Sequence, residues 1–488
     1  MSFPAPRTVL APGPVVTQRS WPDDREVRSI HVVRIGGAGM SAVARLALEA
    51  GLTVSGSDSQ DGQFIAPLRE AGARIGIGFD AGLLADDVDL LVVSTAVRPD
   101  NPEVVAAHGR GIPVIHRAAA LAGLLGERPV IAVAGTHGKT TTTGMAVMAM
   151  RGAGEDPAWA LGAAVPDLGR NAGLRPGPAV VEADESDGSF LAFAPLAAVV
   201  TNLEPDHLDF HGDAETLTSA FDAFVDRIVP GGTLVVCADD EGTAALGARA
   251  RDRGVTVRTY GVADGADWRL LAERAEAGVS VSEVEGPRGP FTLRLGVVGH
   301  HNALNALGAL AAVAAARPDA DLTALAQGLG GFTGASRRFD IAGSAAGVTV
   351  VDDYAHHPRE VAATLLAARG IQADAGGEGR VLAVFQPHLF SRTRSFAAEF
   401  AQALALADEA WVLPVYAARE DPDPSVSAQT LLEQAPDRAR MRVLESSTDA
   451  PAAIAQEARS GDLVLMLGAG DVVEVTPAVL TALRDSQA

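Results

Sequence analysis

The sequence predicts an α/β protein organised in three blocks, each built on an open, mostly parallel sheet. Three observations lead there. Apolar runs of five or six residues recur along the chain, and each gives way to a glycine or polar turn followed by a helical pattern. Strands and helices alternate throughout, which demands parallel crossovers rather than a series of hairpins. A chain of 488 residues is also too long for one ordinary core and suits roughly three. In such sheets ligands bind at the carboxyl ends of the strands, so polar clusters there are the candidates for function.

Taken in order, residues 1–26 hold proline and scattered charge without an apolar signal core, and are expected to form a flexible leader. The first block, 27–127, opens with "SIHVVRIGGAGMSAVARLALEAGLTVSGSD", read as strand, glycine turn, helix and strand. "DLLVVSTAV" and "IPVIHR" add further strands. "GERP" separates this block from the second, 128–332. That block begins "PVIAVAGTHGKT", continues through "AVVEADES", "LAAVVTNLEPDHLDFHG" and "GTLVVCADD", and closes with a helix after "VGHHNALNALGALAAVAAA". Glycines cluster in "LGGFTGASRRFD", which reads as a hinge into the third block, 333–488. Its strands are "GVTVVDDYAHHP", "RVLAVFQPH", "EAWVLPVY" and "DLVLMLGAGD".

A net charge of −22 argues against a broad nucleic-acid or anionic membrane surface. Cys237 is the single cysteine, so no intramolecular disulfide is possible and a reducing cytoplasm fits. No segment offers the ~20 uninterrupted apolar residues of a membrane span. The expectation is a cytoplasmic protein, monomeric or weakly dimeric, acting on small molecules without nucleic-acid or membrane partners. An acidic chain that binds anions must build positive sites locally.

One such site stands out. Of 39 lysines and arginines, Lys139 is the only lysine. It lies in "AGTHGKTTTTG", between a strand and a helix. A full phosphate-loop motif would have glycine at Val133, so the match is partial, yet Gly135, Thr136, His137, Gly138, Lys139, Thr140 and Thr141 keep its working end. Backbone N–H groups and a helix N-terminus face an anion there, Lys139 reaches the outer phosphates, and Thr140 offers a hydroxyl to magnesium. A lysine is a compact point charge that enters a crowded phosphate site where an arginine fork does not fit. Glu182 and His207, each following a strand of the same block, are the further candidate metal ligands.

The first block lacks a complete dinucleotide fingerprint, because Arg34 stands at its first glycine. Gly36, Gly37, Gly39 and Met40 still form a turn into a helix, and Asp58 ends the second strand where a ribose-binding acid would sit. Some diphosphate ligand is expected on that helix N-terminus; a nicotinamide-dependent oxidoreductase is the alternative from this block alone. In the third block Tyr354, His356, His388 and Arg392 fall at strand ends and suit a carboxylate or phosphate pocket better than zinc, whose ligand spacing they lack.

Together "IGGAGM", "GTHGKTTT", "EADESDGSF", "TNLEPDHLDFHG", "HNALNALGAL", "RRFD", "DDYAHHP", "QPHLFSRT" and "GAGD", in this order from about residue 30, resemble the Mur ligases of peptidoglycan synthesis. The resemblance implies a Rossmann-like N-terminal domain for a UDP-sugar, a central ATPase, and a Rossmann-like C-terminal domain for an amino acid. It implies ATP and Mg2+, and a reaction in which the lactyl carboxylate of UDP-N-acetylmuramate is phosphorylated and then attacked by L-alanine, serving cell-wall synthesis, cell shape and division. By the family's pattern Thr140 and Glu182 bind one magnesium and His207 a second. Asn302 and Asn305 hold adenine, and His388 and Arg392 meet the alanine carboxylate; Arg337 and Arg338, beside the hinge, are expected to neutralise phosphate on closure. Several siblings carry a carbamylated lysine; a chain with one lysine has none to spare. This chain departs from the family at Arg34, at "VGHHN" from Val298 to Asn302, and at Leu389.

Overall fold

The computed structural model describes residues 20–205, 208–276, 279–374, 376–377, 379–418 and 420–486. It contains three sheets. The first has five strands, β1 (Ser29–Val33), β2 (Thr53–Asp58), β3 (Arg74–Ile77), β4 (Leu90–Val93) and β5 (Val114–His116), in the order β3-β2-β1-β4-β5. All its pairings are parallel. Every residue of β1 is buried, as a central parallel strand covered on both faces requires. The order reverses between β1 and β4, the position where open α/β sheets bind ligands.

The second sheet has ten strands: β6 (Val130–Ala134), β7 (Ala158–Val165), β8 (Arg170–Gly173), β9 (Ala179–Glu182), β10 (Ala197–Val200), β11 (Thr233–Cys237), β12 (Thr256–Gly261), β13 (Trp268–Glu276), β14 (Val279–Gly286) and β15 (Gly289–Leu295). Their order is β15-β14-β13-β12-β11-β10-β6-β9-β7-β8. β6 runs parallel to β10 and β9, with Val133 opposite Glu182 and Ala134 opposite Val200. The turn after β6 therefore emerges between the ends of these two strands. β7 and β8 form an antiparallel edge.

The third sheet comprises β16 (Asp340–Ala345), β17 (Val348–Asp353), β18 (Val381–Phe385), β19 (Glu409–Val412), β20 (Met441–Val443) and β21 (Leu463–Leu467), ordered β16-β17-β21-β18-β19-β20. It is parallel apart from β16. Alternate residues feed two separate cores: Val351, Phe385 and Leu465 on one face, Val350, Leu382 and Val464 on the other. Both faces are buried, which is why these strands read as unbroken apolar runs.

The chain divides into two compact units. One carries the first sheet and nearly all of the second, the other the third sheet with the segments Ala275–Ser280 and Val297–His301, and the division after Thr333 falls within the glycine-rich stretch. In the first unit a continuous apolar core runs from Ile30 of β1 to Val200 of β10. The helix Ala38–Glu49, which follows the glycine turn, is pinned at both ends to β8 and the residues after it. Asn171 Nδ2 donates to Ala38 O (2.9 Å) and Ser41 Oγ (3.0 Å), and Glu49 accepts from Arg170 Nη1 (2.6 Å) and Leu174 N (2.6 Å). Within the leader expected over 1–26, Trp21 is packed: it lies so close over Gly123 that a Cβ there would be 2.4 Å from its own Cβ. Residues 1–19 lie outside the described residues. No helix among the described residues is long and apolar enough to cross a membrane.

The helices Lys139–Gly152 and Leu322–Leu329 meet glycine to glycine. A Cβ on Gly152 would lie 2.4 Å from Gly328 Cα and 2.7 Å from Ala324 O. Backbone atoms cannot yield as a side chain can, so Gly152→Ala is expected to destabilise this unit by about 1–3 kcal/mol, seen as a lower midpoint in thermal or urea unfolding. Gly370→Ala, in a helix with open space around the site, should be neutral or slightly stabilising.

Candidate active site

The turn after β6 is stitched to the loop after β10. Asn202 O accepts from Thr136 N (3.2 Å), Asn202 Oδ1 from His137 N (2.7 Å), and Thr201 Oγ1 donates to His137 O (2.5 Å). Gly135 has φ +123 and no space for a Cβ, which would stand 2.2 Å from Thr201 Oγ1. Gly138, at φ +80, caps the helix that begins at Lys139, and a Cβ on it would meet Asn305 Oδ1 at 2.6 Å. Asn302 and Asn305 are buried on the helix His300–Ala316. Thr140 and Thr141 are buried in the first turn of the helix that Gly138 caps.

Lys139 closes on its own loop. Its Nζ donates to Gly135 O (2.8 Å), Thr136 O (3.2 Å) and Glu185 Oε1 (2.8 Å). The two charged side chains are 12% and 1% exposed. Burial opposes the lysine's charge, but Glu185 with Asp184 outweighs it and raises the pKa. Burial pushes the Glu185 carboxyl up to about 7 against the pull of Lys139. Glu182 ends β9, and its Oε2 accepts from Gly162 N (2.8 Å). His207 lies outside the described residues.

The loop after β9 is also gripped from the first sheet. Arg117, at the end of β5, directs Nη2 to Asp184 Oδ2 (3.1 Å), Asp187 Oδ2 (3.3 Å) and Ser189 Oγ (3.0 Å). Thr95 Oγ1 donates to Asp187 at 3.4 Å. His116 caps the helix Arg117–Leu125 by accepting Ala118 N–H at Nδ1 (3.4 Å), which leaves its proton on Nε2, 3.6 Å from Asp187. Burial lowers the His116 pKa to about 4 despite that carboxylate, so the ring is neutral and Arg117 is the cation here.

In the first sheet's glycine turn, Gly36 N donates to Asp58 Oδ2 (2.8 Å), so Asp58 shapes the turn itself. Gly37 and Gly39 lie on the turn and the start of its helix. Met40, grouped with them from sequence, has its side chain in the core at 4% exposed. Arg34 holds φ +59 with its guanidinium 6.0 Å from the centre of the Phe79 ring.

The second unit gathers its predicted residues at the carboxyl edge of its sheet. Tyr354 lies within cation–π distance of both Arg337 (4.9 Å) and Arg338 (4.8 Å). Ring centres run from Tyr354 to His356 (5.2 Å), His388 (5.7 Å) and Tyr416 (5.7 Å). Arg392 is buried in the helix Phe390–Ser395. His356 Nδ1 contacts Tyr354 O (3.0 Å), and burial lowers its pKa to about 3, so it stays neutral. Asp353 ties the "RRFD" segment down by accepting Phe339 N and Ala355 N, each at 2.7 Å. Leu389 is buried at φ +71.

Sequence reasoning passed over Glu185, Arg117, His116, Asp187 and Tyr416. Glu185 and Asp187 stood inside the quoted "EADESDGSF", where four acids compete and only packing selects the lysine's partner. "VIHR" at a strand end was the available signal for Arg117.

Two consequences are measurable. Gly138→Ala places a Cβ against Asn305 in a left-handed conformation that costs about 1–2 kcal/mol for other residues; nucleotide affinity, by titration, should fall about tenfold or more. The unfolded chain protonates His116 near pH 6.5 and the folded one near 4, so the folded state binds fewer protons in between. Stability contributed by the neutral ring is present above about 6.5 and lost as pH falls toward 4. His116→Asn, which keeps a helix cap, should flatten the thermal midpoint over that window.

Comparison with known proteins accounts for all three sheets. Sequence models described as "Mur ligase family, catalytic domain", "Mur ligase middle domain" and "Mur ligase, glutamate ligase domain" match residues 29–128, 133–313 and 337–470. The chain is 53% identical to the UDP-N-acetylmuramate–L-alanine ligase of Kineococcus radiotolerans, over 93% of this chain and 96% of that one. It is 46% identical to the ligase of that name from Mycobacterium marinum, over 94% and 95%. The crystal structure of the UDP-N-acetylmuramate–alanine ligase MurC from Thermotoga maritima superposes with a TM-score of 0.79 at 30% identity, covering 94% of this chain and 99% of that one. With family models spanning most of its length and such relatives along it, the chain belongs to the Mur ligase family.

Proposed function

We propose that this chain is an ATP-dependent ligase joining L-alanine to the lactyl carboxylate of UDP-N-acetylmuramate in the cytoplasm. The observation that carries the reading is the phosphate loop around the single lysine, paired to Glu185, in a chain so close to ligases of that name. A carboxylate is a poor electrophile. Transfer of the terminal phosphoryl group of ATP to its oxygen yields ADP and an acyl phosphate. The alanine amine then adds to the acyl carbon; the tetrahedral intermediate loses the amine's proton and collapses as the carbon–oxygen bond to phosphate breaks, leaving the amide and inorganic phosphate.

The residues divide this work. Lys139 exchanges its loop carbonyls and Glu185 for phosphate oxygens, bringing a fixed charge to where negative charge accumulates. Gly135, Thr136, His137, Gly138, Thr140 and Thr141 present backbone and hydroxyl groups to the same phosphates. Asn302 and Asn305 serve the adenine, and Arg338 the transferring phosphate. Gly36, Gly37, Gly39, Met40 and Asp58 form the UDP-sugar turn, and Tyr354, His356, His388 and Arg392 receive the amino acid, with neutral His356, its one proton given to Tyr354 O, left to accept at Nε2 without adding charge. The oxygen donors of Thr140 and Glu182 suit Mg2+, with His207 for a second ion; magnesium supplies charge neutralisation across the phosphates.

Phosphate release from purified protein with ATP and Mg2+ tests the reading. Release is expected only when UDP-N-acetylmuramate and L-alanine are both present, and Lys139→Arg should lower it roughly 100-fold or more. Release with another amino acid or a peptide in place of alanine would assign a sibling activity. ATP binding without release under any pairing would overturn the ligase reading.

A further inference from the structure

Among the described residues, Arg117 is the one cation that lies against both the acidic loop beside Lys139 and the glycine turn of the first sheet. Its Nη2 is saturated by Asp184, Asp187 and Ser189. Its Nη1 points elsewhere, and a Cβ placed on Gly39 would be 3.2 Å from it. Among the described residues nothing bonds Nη1 or Nε, and the side chain keeps 19% exposure. The helix Ala38–Glu49 starts at this point with no side chain capping its first N–H groups. An uncapped helix N-terminus and a guanidinium edge thus converge on one spot, beside the β1/β4 reversal of strand order. His116, neutral and occupied with its own helix cap, adds no charge there.

We propose that Arg117 serves two sites at once: Nη1 takes an oxygen of the UDP-sugar diphosphate at the start of the helix Ala38–Glu49, while Nη2 positions the loop Asp184–Ser189 that carries the lysine's partner. This role rests on the UDP-sugar reading above. It makes the guanidinium a mechanical link, because an anion arriving at Nη1 fixes the plane of the fork and with it the acceptors on Nη2. Substrate on the first sheet then tightens nucleotide binding on the second, and by linkage the reverse.

Calorimetric titration of UDP-N-acetylmuramate and of a non-hydrolysable ATP analogue, each with and without the other, tests this on the full chain. Arg117→Met is expected to weaken the UDP-sugar roughly 10- to 100-fold, the range for one lost charge-assisted hydrogen bond, and to abolish the mutual tightening. Arg117→Lys keeps the charge without the fork. It should retain UDP-sugar affinity within a few-fold yet lose the tightening, a split that a mere packing defect would not produce. UDP-sugar affinity unchanged in a folded Arg117→Met would overturn the proposal, leaving Arg117 a strut for the loop. Failure of the unaltered chain to bind UDP-N-acetylmuramate would instead sink the ligase reading, and this role with it.

Discussion

A positive charge kept out of water is the constraint on which the central site depends. Lys139 is the only lysine in a chain of net charge −22, and it is nearly enclosed. Such a group survives ionised only if opposite charge and carbonyl oxygens replace its hydration. Glu185, Gly135 O and Thr136 O do this, and the loop's backbone follows from having to supply them. Two of its residues sit at positive φ, and both are glycines pressed against neighbouring polar groups. Through these three partners the loop is closed around the amine.

The same logic extends outward. Glu185 needs a fixed loop, and Arg117 fixes it from β5, the edge strand of the first sheet. The acids between positions 182 and 189 would repel one another if crowded without cations. Lys139 and Arg117 divide them, one facing the phosphate loop and the other the glycine turn. In the second unit arginines again set the arrangement: Arg337 and Arg338 stand by Tyr354, and Asp353 gathers the backbone between them.

Much of this was legible in sequence, and what was not has physical reasons. The three sheets showed themselves because parallel strands covered on both faces must be apolar at nearly every position, as β4, β6 and β21 are. The phosphate loop was legible because strand, turn and helix are contiguous. β13 to β15 were missed since their half-exposed residues carry charge and break the apolar run. Arg117 was hidden because its partners lie 67 to 72 residues away, and no local pattern reports a tertiary pairing. Met40 neighbours the turn in sequence, while helical geometry turns its side chain inward, which no local pattern reports. Trp21 anchors what composition alone presents as a loose end.

The clamp on the helix Ala38–Glu49 has a consequence for the timing of order. Asn171 and Glu49 hold the helix at its two ends, so the glycine turn is fixed against the edge of the second sheet when the chain folds. Two substrates settling on that unit meet a ready-made frame, and the loss of translational and rotational freedom needed to align them is not compounded by ordering the protein as well. The entropy of assembling that half of the reaction is spent during folding, once per molecule rather than once per turnover.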